Sequence, residues 1–69
     1  MLLFELIPLF DRYDSVKIIY RKDLEKPYID KEYFNGEIRN IPFRLLEATV
    51  VRIKFLCGDI YIDIAENYL

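Results

Sequence analysis

The sequence predicts an α+β domain in which an antiparallel sheet of about four strands carries two short helices on one face, in the order α-β-β-α-β-β. Three observations lead to this prediction: an opening segment with helical spacing, β-branched segments that alternate in hydrophobicity, and a closing stretch that pairs with itself as a hairpin. At 69 residues the chain has room for one hydrophobic core. We therefore expect a single compact α+β domain over residues 1–69.

Two short segments have the character of helices. The apolar residues of the first recur at helical spacing, and they are Leu3, Leu6, Ile7 and Phe10. Pro8 lacks the N–H that a regular helix uses, so one or two distorted turns are expected there. Residues 41–48 are predicted to form the second helix, because Pro42 suits a first turn and the β-branched run from Thr49 disfavours continuation.

The first pair of strands is predicted from β-branched and aromatic content. Residues 15–20 form one strand, and residues 31–38 return to β character after a charged connection. Asn35 and Gly36 could form the tip of a type I′ hairpin, since both residues tolerate positive φ. The alternative is a bulge or strand end with Gly36 absorbing the strain, and the few β residues that follow favour it.

The last two strands pair unambiguously around a two-residue loop at Cys57 and Gly58. This register sets Leu56 opposite Asp59, Phe55 opposite Ile60, Ile53 opposite Ile62, Val51 opposite Ile64, Lys54 opposite Tyr61, and Arg52 opposite Asp63. A slip of one residue would turn every apolar side chain to the wrong face. The expected core joins Val16, Ile18, Val51, Ile53, Phe55, Ile60, Ile62 and Ile64 to Leu6, Phe10, Leu45 and Leu46.

Composition excludes most catalytic chemistry. The chain has no histidine and one cysteine, so it offers no histidine-activated nucleophile, and a zinc site is disfavoured. We expect no enzyme activity, no cofactor and no metal. A lone cysteine permits no intrachain disulfide and suits a reducing cytoplasm. The net charge of −2, with basic residues scattered among acidic ones, disfavours direct nucleic-acid binding. The apolar opening is too short to span a bilayer and lacks a signal-peptide pattern.

A family resemblance accompanies these patterns. The leucine-rich segment "LFELIPLFD" precedes "VKI", and "YFNGEI", "NIPFRLL" and an alternating terminal hairpin follow. This order resembles small uncharacterised proteins of phages and prophages of Gram-positive bacteria. The resemblance covers most of the chain, departs from the pattern at Pro8 and in the long 21–32 connection, and carries no catalytic residue. It implies a phage-encoded accessory protein in the host cytoplasm that interferes with host defence, as an anti-CRISPR inhibitor does.

Two surfaces are candidates for partner binding. The outer sheet face is predicted to carry Lys17, Ile19, Arg52, Lys54, Leu56, Tyr61 and Asp63, with Phe34 beside them. It is either an ordinary solvent face covered by long basic side chains or a binding patch rich in aromatic and arginine residues. The charged connection "RKDLEKPYIDKEY" is either a polar link or a recognition loop with Tyr28 as its anchor among Asp23, Glu25 and Asp30. Its length favours recognition.

The sequence therefore predicts a non-enzymatic protein-binding module that blocks its target sterically. The expected partner is a bacterial defence or replication protein, and no membrane association is expected. The alternative is a structural or regulatory homo-oligomer, for instance a homodimer formed through an unprotected sheet edge.

Overall fold

The computed structural model describes residues 1–65, so residues 66–69 of the predicted domain lie outside the described part. One α-helix, α1 (Leu3–Leu6), is followed by β1 (Ser15–Tyr20), β2 (Lys31–Glu37), β3 (Val50–Leu56) and β4 (Asp59–Ile64). Short 3₁₀ segments occupy Ile7–Leu9, Ile38–Asn40 and Phe43–Glu47. The described chain is thus α+β with a single short α-helix. The second predicted helix forms as the 3₁₀ segment that follows Pro42.

The four strands form one mixed sheet in the order β2-β1-β4-β3. Strand β1 pairs with β2 in antiparallel fashion and with β4 in parallel fashion, whereas β3 and β4 are antiparallel. The prediction of a wholly antiparallel sheet was therefore wrong at the central pair. A parallel pair needs a long connection, and here all of β2 and β3 lies between the two partners. The local patterns of β1 and β4 do not encode that choice of neighbour.

The β3–β4 hairpin has the predicted register over most of its length. Pairing runs from Leu56 opposite Asp59 to Arg52 opposite Asp63. Cys57 and Gly58 have φ values of 51° and 83°, as a type I′ turn requires. The exception is Val51, which lies at an irregularity of the ladder and leaves Val50, not Val51, opposite Ile64. Val51 consequently faces solvent and not the core.

Strand β2 contains the Asn35–Gly36 pair in its interior, opposite Lys17 and Val16, so the hairpin tip considered there is wrong. The break in the ladder lies instead between Phe34 and Glu32. A Cβ on Gly36 would lie 3.1 Å from Cζ of Phe34, so the ring packs over the glycine backbone. Phe34 also lies opposite the buried Ile18 and packs against the core, which corrects its predicted place on the outer face.

The core lies between the sheet and the helical layer. Its buried members are Leu3, Leu6, Val16, Ile18, Ile38, Leu45, Ala48, Ile62 and Ile64, with Phe10, Ile53 and Ile60 packed partly against them. Phe55 was expected in this core but is 68% exposed, because it lies near the end of the edge strand β3, where the ring of Phe10 packs 6.5 Å from its own. Leu46 is only half-buried. Backbone bonds from Leu3 N–H to the Ala48 carbonyl (2.8 Å) and from Val50 N–H to the Met1 carbonyl (2.7 Å) hold α1 beside β3.

Candidate functional site

The second face of the sheet, opposite the helical layer, is partly closed. Ile19 and Asp63 are neighbours in the parallel pair of β1 and β4, and both are fully buried. The sequence predicted that they would face solvent. They are covered because the connection of residues 21–30, called here the 21–30 loop, folds back over the carboxyl ends of these two strands. Only the half of the face nearer the Cys57–Gly58 turn stays open.

A buried carboxylate lies between two arginines beneath this loop. Arg52 Nε donates to Asp63 Oδ2 at 3.2 Å, and Arg21 Nε lies 3.6 Å from Asp63 Oδ1. Asp63 is almost entirely excluded from solvent, and Arg21 largely so. Within the described part of the chain, three buried atoms have no hydrogen-bond partner: Arg21 Nε, Arg52 Nη2 and Asp63 Oδ1. A buried carboxylate is tolerated only with such partners, so this cluster is a structural requirement of the covered face.

Arg52 also fixes the loop directly. Its Nη1 donates to the backbone carbonyl of Leu24 at 2.9 Å, while its Nε holds Asp63. One guanidinium therefore joins the edge strand β3, the central strand β4 and the middle of the 21–30 loop. Arg52 and Asp63, which the sequence predicted as partner contacts, instead anchor the loop that could make those contacts.

The loop has its own hydrogen bonds. Asp30 N–H donates to the Tyr20 carbonyl at 3.1 Å and closes the base, and Lys22 N–H donates to Asp30 Oδ2 at 2.8 Å. Glu25 N–H donates to Asp23 Oδ1 at 3.0 Å, as aspartate does in tight turns. A compact loop whose ends meet in this way is a common carrier of function. Asp23 and Asp30 thus use a carboxylate oxygen each to shape the loop.

The outer surface of the loop brings together four of the predicted site residues. A depression of about 600 Å³ is lined by Lys22, Asp23, Leu24, Glu25, Tyr28 and Asp30. Tyr28 is 60% exposed, and Ile29 beside it is also exposed. Within residues 1–65 no three histidine, cysteine, aspartate or glutamate residues are grouped so that they could hold a metal ion. What this surface offers is an aromatic hydroxyl, an aliphatic side chain and carboxylates.

The remaining predicted residues lie apart from the loop. Tyr61 is half-buried on the open half of the second face, and Lys17 Nζ lies 5.3 Å from its ring centroid. Lys54 is the cross-strand neighbour of Tyr61, is exposed, and makes no ion pair within residues 1–65. Phe34 lies on the other side of the sheet. The predicted site residues therefore fall into four groups. One lies on the outer surface of the loop, Arg52 and Asp63 lie beneath it, Lys54 and Tyr61 lie on the open half of the second face, and Phe34 packs against the core.

Sequence reasoning missed Arg21 and the covering of the second face. A signal was present, because the alternation of β1 places the apolar Ile19 on the supposedly wet face and Arg21 two residues later on the same face. A large apolar side chain on a face that is otherwise charged indicates that another segment of the chain covers that part of the face.

The described part of the chain is a small α+β domain with one mixed four-stranded sheet and a folded surface loop. Comparison with protein-family models, with curated proteins and with solved structures gave no match. Among residues 1–65 there is no helix with the length and apolar character needed to cross a membrane.

Proposed function

We propose that this chain is a non-enzymatic protein-binding module and that the outer surface of the 21–30 loop is its contact surface. The observation that carries this function is the bond from Arg52 Nη1 to the Leu24 carbonyl, which holds the loop in one conformation while Tyr28 faces solvent. A loop that is already ordered loses less conformational entropy on binding, so more of its contact energy appears as affinity.

The chemistry of the loop indicates what it would recognise. Tyrosine supplies a rigid ring with a hydroxyl, and both are traits of binding anchors. Glu25 is exposed next to Tyr28 in the same depression. The complementary surface would have an apolar pocket for the ring of Tyr28 and one or more cationic groups beside it.

The narrower role is inhibition of a bacterial defence complex by steric occlusion, in the manner of an anti-CRISPR protein. It is supported by the resemblance of the element order to small phage and prophage proteins. A compact domain that binds through one preformed loop would block whatever surface its target needs, without any chemical step.

The experiment compares Tyr28→Ala with Phe4→Ala against a partner captured from bacterial lysate and then purified. Phe4 serves as the control because it is an exposed aromatic residue as well, at 50% against 60% for Tyr28, and lies in α1 and not in the loop. Tyr28→Ala should weaken binding about thirtyfold, the loss that corresponds to about 2 kcal/mol for a true anchor, with unchanged melting. Equal binding by the parent and Tyr28→Ala would reject the loop as the contact surface.

Self-association through a sheet edge is the second candidate function, and β2 is the edge that favours it. If two β2 strands pair antiparallel about Phe34, Lys31 of each lies opposite Glu37 of the other copy. If two β3 strands paired in the same way about Ile53, Arg52 of each copy would lie opposite Lys54 of the other. Two positive charges would then face each other, so β3 is the less favourable edge.

Sedimentation equilibrium at tens of micromolar, on the order of usual assay concentrations, tests whether the chain dimerises through β2. A dimer that Glu37→Lys weakens and Glu32→Lys leaves intact would support it, because Glu32 lies opposite an uncharged glycine in that register. A monomer mass throughout that concentration range would reject this candidate.

A further inference from the structure

A second depression lies on the helical side of the molecule, away from the 21–30 loop. It measures about 480 Å³, and its walls are mostly apolar side chains from the 3₁₀ segments and the residues that flank them. Phe43, at its margin, is 89% exposed and is the most exposed large apolar side chain of the described residues. Pockets of this volume are typical of sites for small or extended ligands. This depression is called here the helical-side groove.

Among residues 1–65, the only charged side chains that line the groove are two arginines, Arg12 and Arg39. Backbone bonds fix their positions, because Arg39 N–H donates to the Arg12 carbonyl at 3.0 Å and Ile38 N–H to the Asp14 carbonyl at 2.9 Å. The ring of Tyr13 lies 5.3 Å from Cζ of Arg12 and 5.0 Å from Cζ of Arg39. Attraction of both guanidinium groups to this one aromatic ring helps to keep them at the margin of the groove.

The charge of this margin is only partly compensated. Arg39 Nε is paired with Glu37 Oε1 at 2.7 Å, whereas Arg12 makes no ion pair with a carboxylate of residues 1–65. No acidic side chain of the described residues lines the groove. An exposed arginine without a carboxylate partner among residues 1–65 thus lies directly beside apolar walls, while the nearby carboxylates of Asp14 and Asp11 accept bonds from the backbone N–H groups of Asp11 and Tyr13.

We infer that the helical-side groove binds a polypeptide segment of another protein that carries an apolar side chain flanked by carboxylates. The apolar side chain would occupy the groove against Phe43, and a carboxylate would pair with Arg12. This surface is distinct from the 21–30 loop, which lies on the opposite face of the sheet and has carboxylates of its own. Together with the loop surface proposed above, on which this inference does not depend, the chain would have a binding surface on each face of the sheet.

The test is a titration of the ¹⁵N-labelled protein with two acetylated, amidated pentapeptides, Glu-Leu-Glu-Phe-Glu and Lys-Leu-Lys-Phe-Lys. The acidic peptide should shift the amide resonances between Ile38 and Phe43 (Pro42 has none) and leave those of residues 21–30 unchanged. Its affinity should fall as salt is added, because the pairing with Arg12 is exposed. The basic peptide should cause no comparable shift between Ile38 and Phe43.

Two pairs of variants assign the contacts. Arg12→Gln should weaken the acidic peptide about two- to fivefold, as expected for one exposed ion pair, and Arg44→Gln should not, since Arg44 is exposed but outside the groove. Phe43→Ser should weaken it further, whereas Phe4→Ser, another exposed phenylalanine outside the groove, should not.

Four outcomes would overturn the inference. The first is equal shifts of the groove residues with both peptides, and the second is shifts confined to residues 21–30 or to Lys17 and Lys54. The third is no shift at millimolar peptide. The fourth is an equal loss of affinity for the acidic peptide in Arg12→Gln and Arg44→Gln. Shifts at residues 38–43 that follow protein concentration alone would show that a second copy occupies the groove, which also contradicts the proposed occupant.

Discussion

Arg52 on the edge strand β3 holds the buried carboxylate of Asp63 on β4 at 3.2 Å and, with the same guanidinium, the backbone of the 21–30 loop at Leu24. Ion pairs between neighbouring strands are common on solvent-exposed sheet faces. Here the arginine of such a pair also binds the loop that covers the face. The candidate binding surface therefore depends on a residue that need not touch the partner.

Arg52→Met should loosen the loop more than it loosens the sheet, because the buried carboxylate of Asp63 loses one partner but keeps Arg21 as its counter-charge. The change removes the donor to the Leu24 carbonyl but keeps much of the aliphatic stem that covers apolar surface. Hydrogen exchange at the amides of Lys22 and Asp30 should become faster, because local opening there no longer breaks this bond. The control is Lys54→Met on the same face of β3, where exchange in the loop should stay as in the parent. Equal protection of the loop in parent and Arg52→Met would contradict the anchoring role.

Asp63→Ala should destabilise the fold by about 3–5 kcal/mol, the usual cost of breaking a buried ion pair and leaving its partner charges uncompensated. Urea unfolding followed by circular dichroism measures the change. Asp59→Ala, an exposed carboxylate on the same strand, should alter stability by no more than about 0.5 kcal/mol. Similar unfolding midpoints for the two variants would mean that Asp63 is not the centre of a buried cluster.

Ile62→Asp should abolish cooperative folding. Ile62 is fully buried between Ile18 and Ile53, so the substitution places an unpaired carboxylate in the core. Its cost of several kcal/mol is comparable to the whole stability expected of a small domain. Phe55→Asp on the neighbouring strand is the control, since Phe55 is largely exposed and the variant should still melt cooperatively. A melt of Ile62→Asp within a few degrees of the parent would contradict the hairpin register.

Cys57→Asn should stabilise the protein. Cys57 has a φ of 51° in the type I′ turn, a conformation that costs most residues about 1–2 kcal/mol and that asparagine tolerates better. We expect a gain of roughly 0.5–1 kcal/mol in the free energy of unfolding, on the scale of other turn optimisations. Gly58→Ala, at φ 83°, should act in the opposite direction although its Cβ would meet no atom within 4 Å. Loss of stability in Cys57→Asn would exclude the positive-φ turn.

The sequence by itself determined the strand positions, the Cys57–Gly58 turn and nearly all of the β3–β4 register. These features depend on neighbours a few residues apart, so alternation of side chains and turn chemistry encode them completely. The Arg52–Asp63 pair follows from the same register. The bulge at Val51 does not, because one extra residue in an edge strand leaves the alternation on either side almost unaltered.

Only the tertiary structure decided the parallel pairing of β1 with β4 and the covering of Ile19 and Asp63 by the 21–30 loop. The same holds for the helical-side groove, where Arg12 and Arg39 meet from segments more than twenty residues apart in the chain. Such contacts join segments that are far apart in the chain, so no periodic pattern of residues reveals them. Whether a sheet face is wet or buried depends on what folds over it, and a strand's own residues do not specify that.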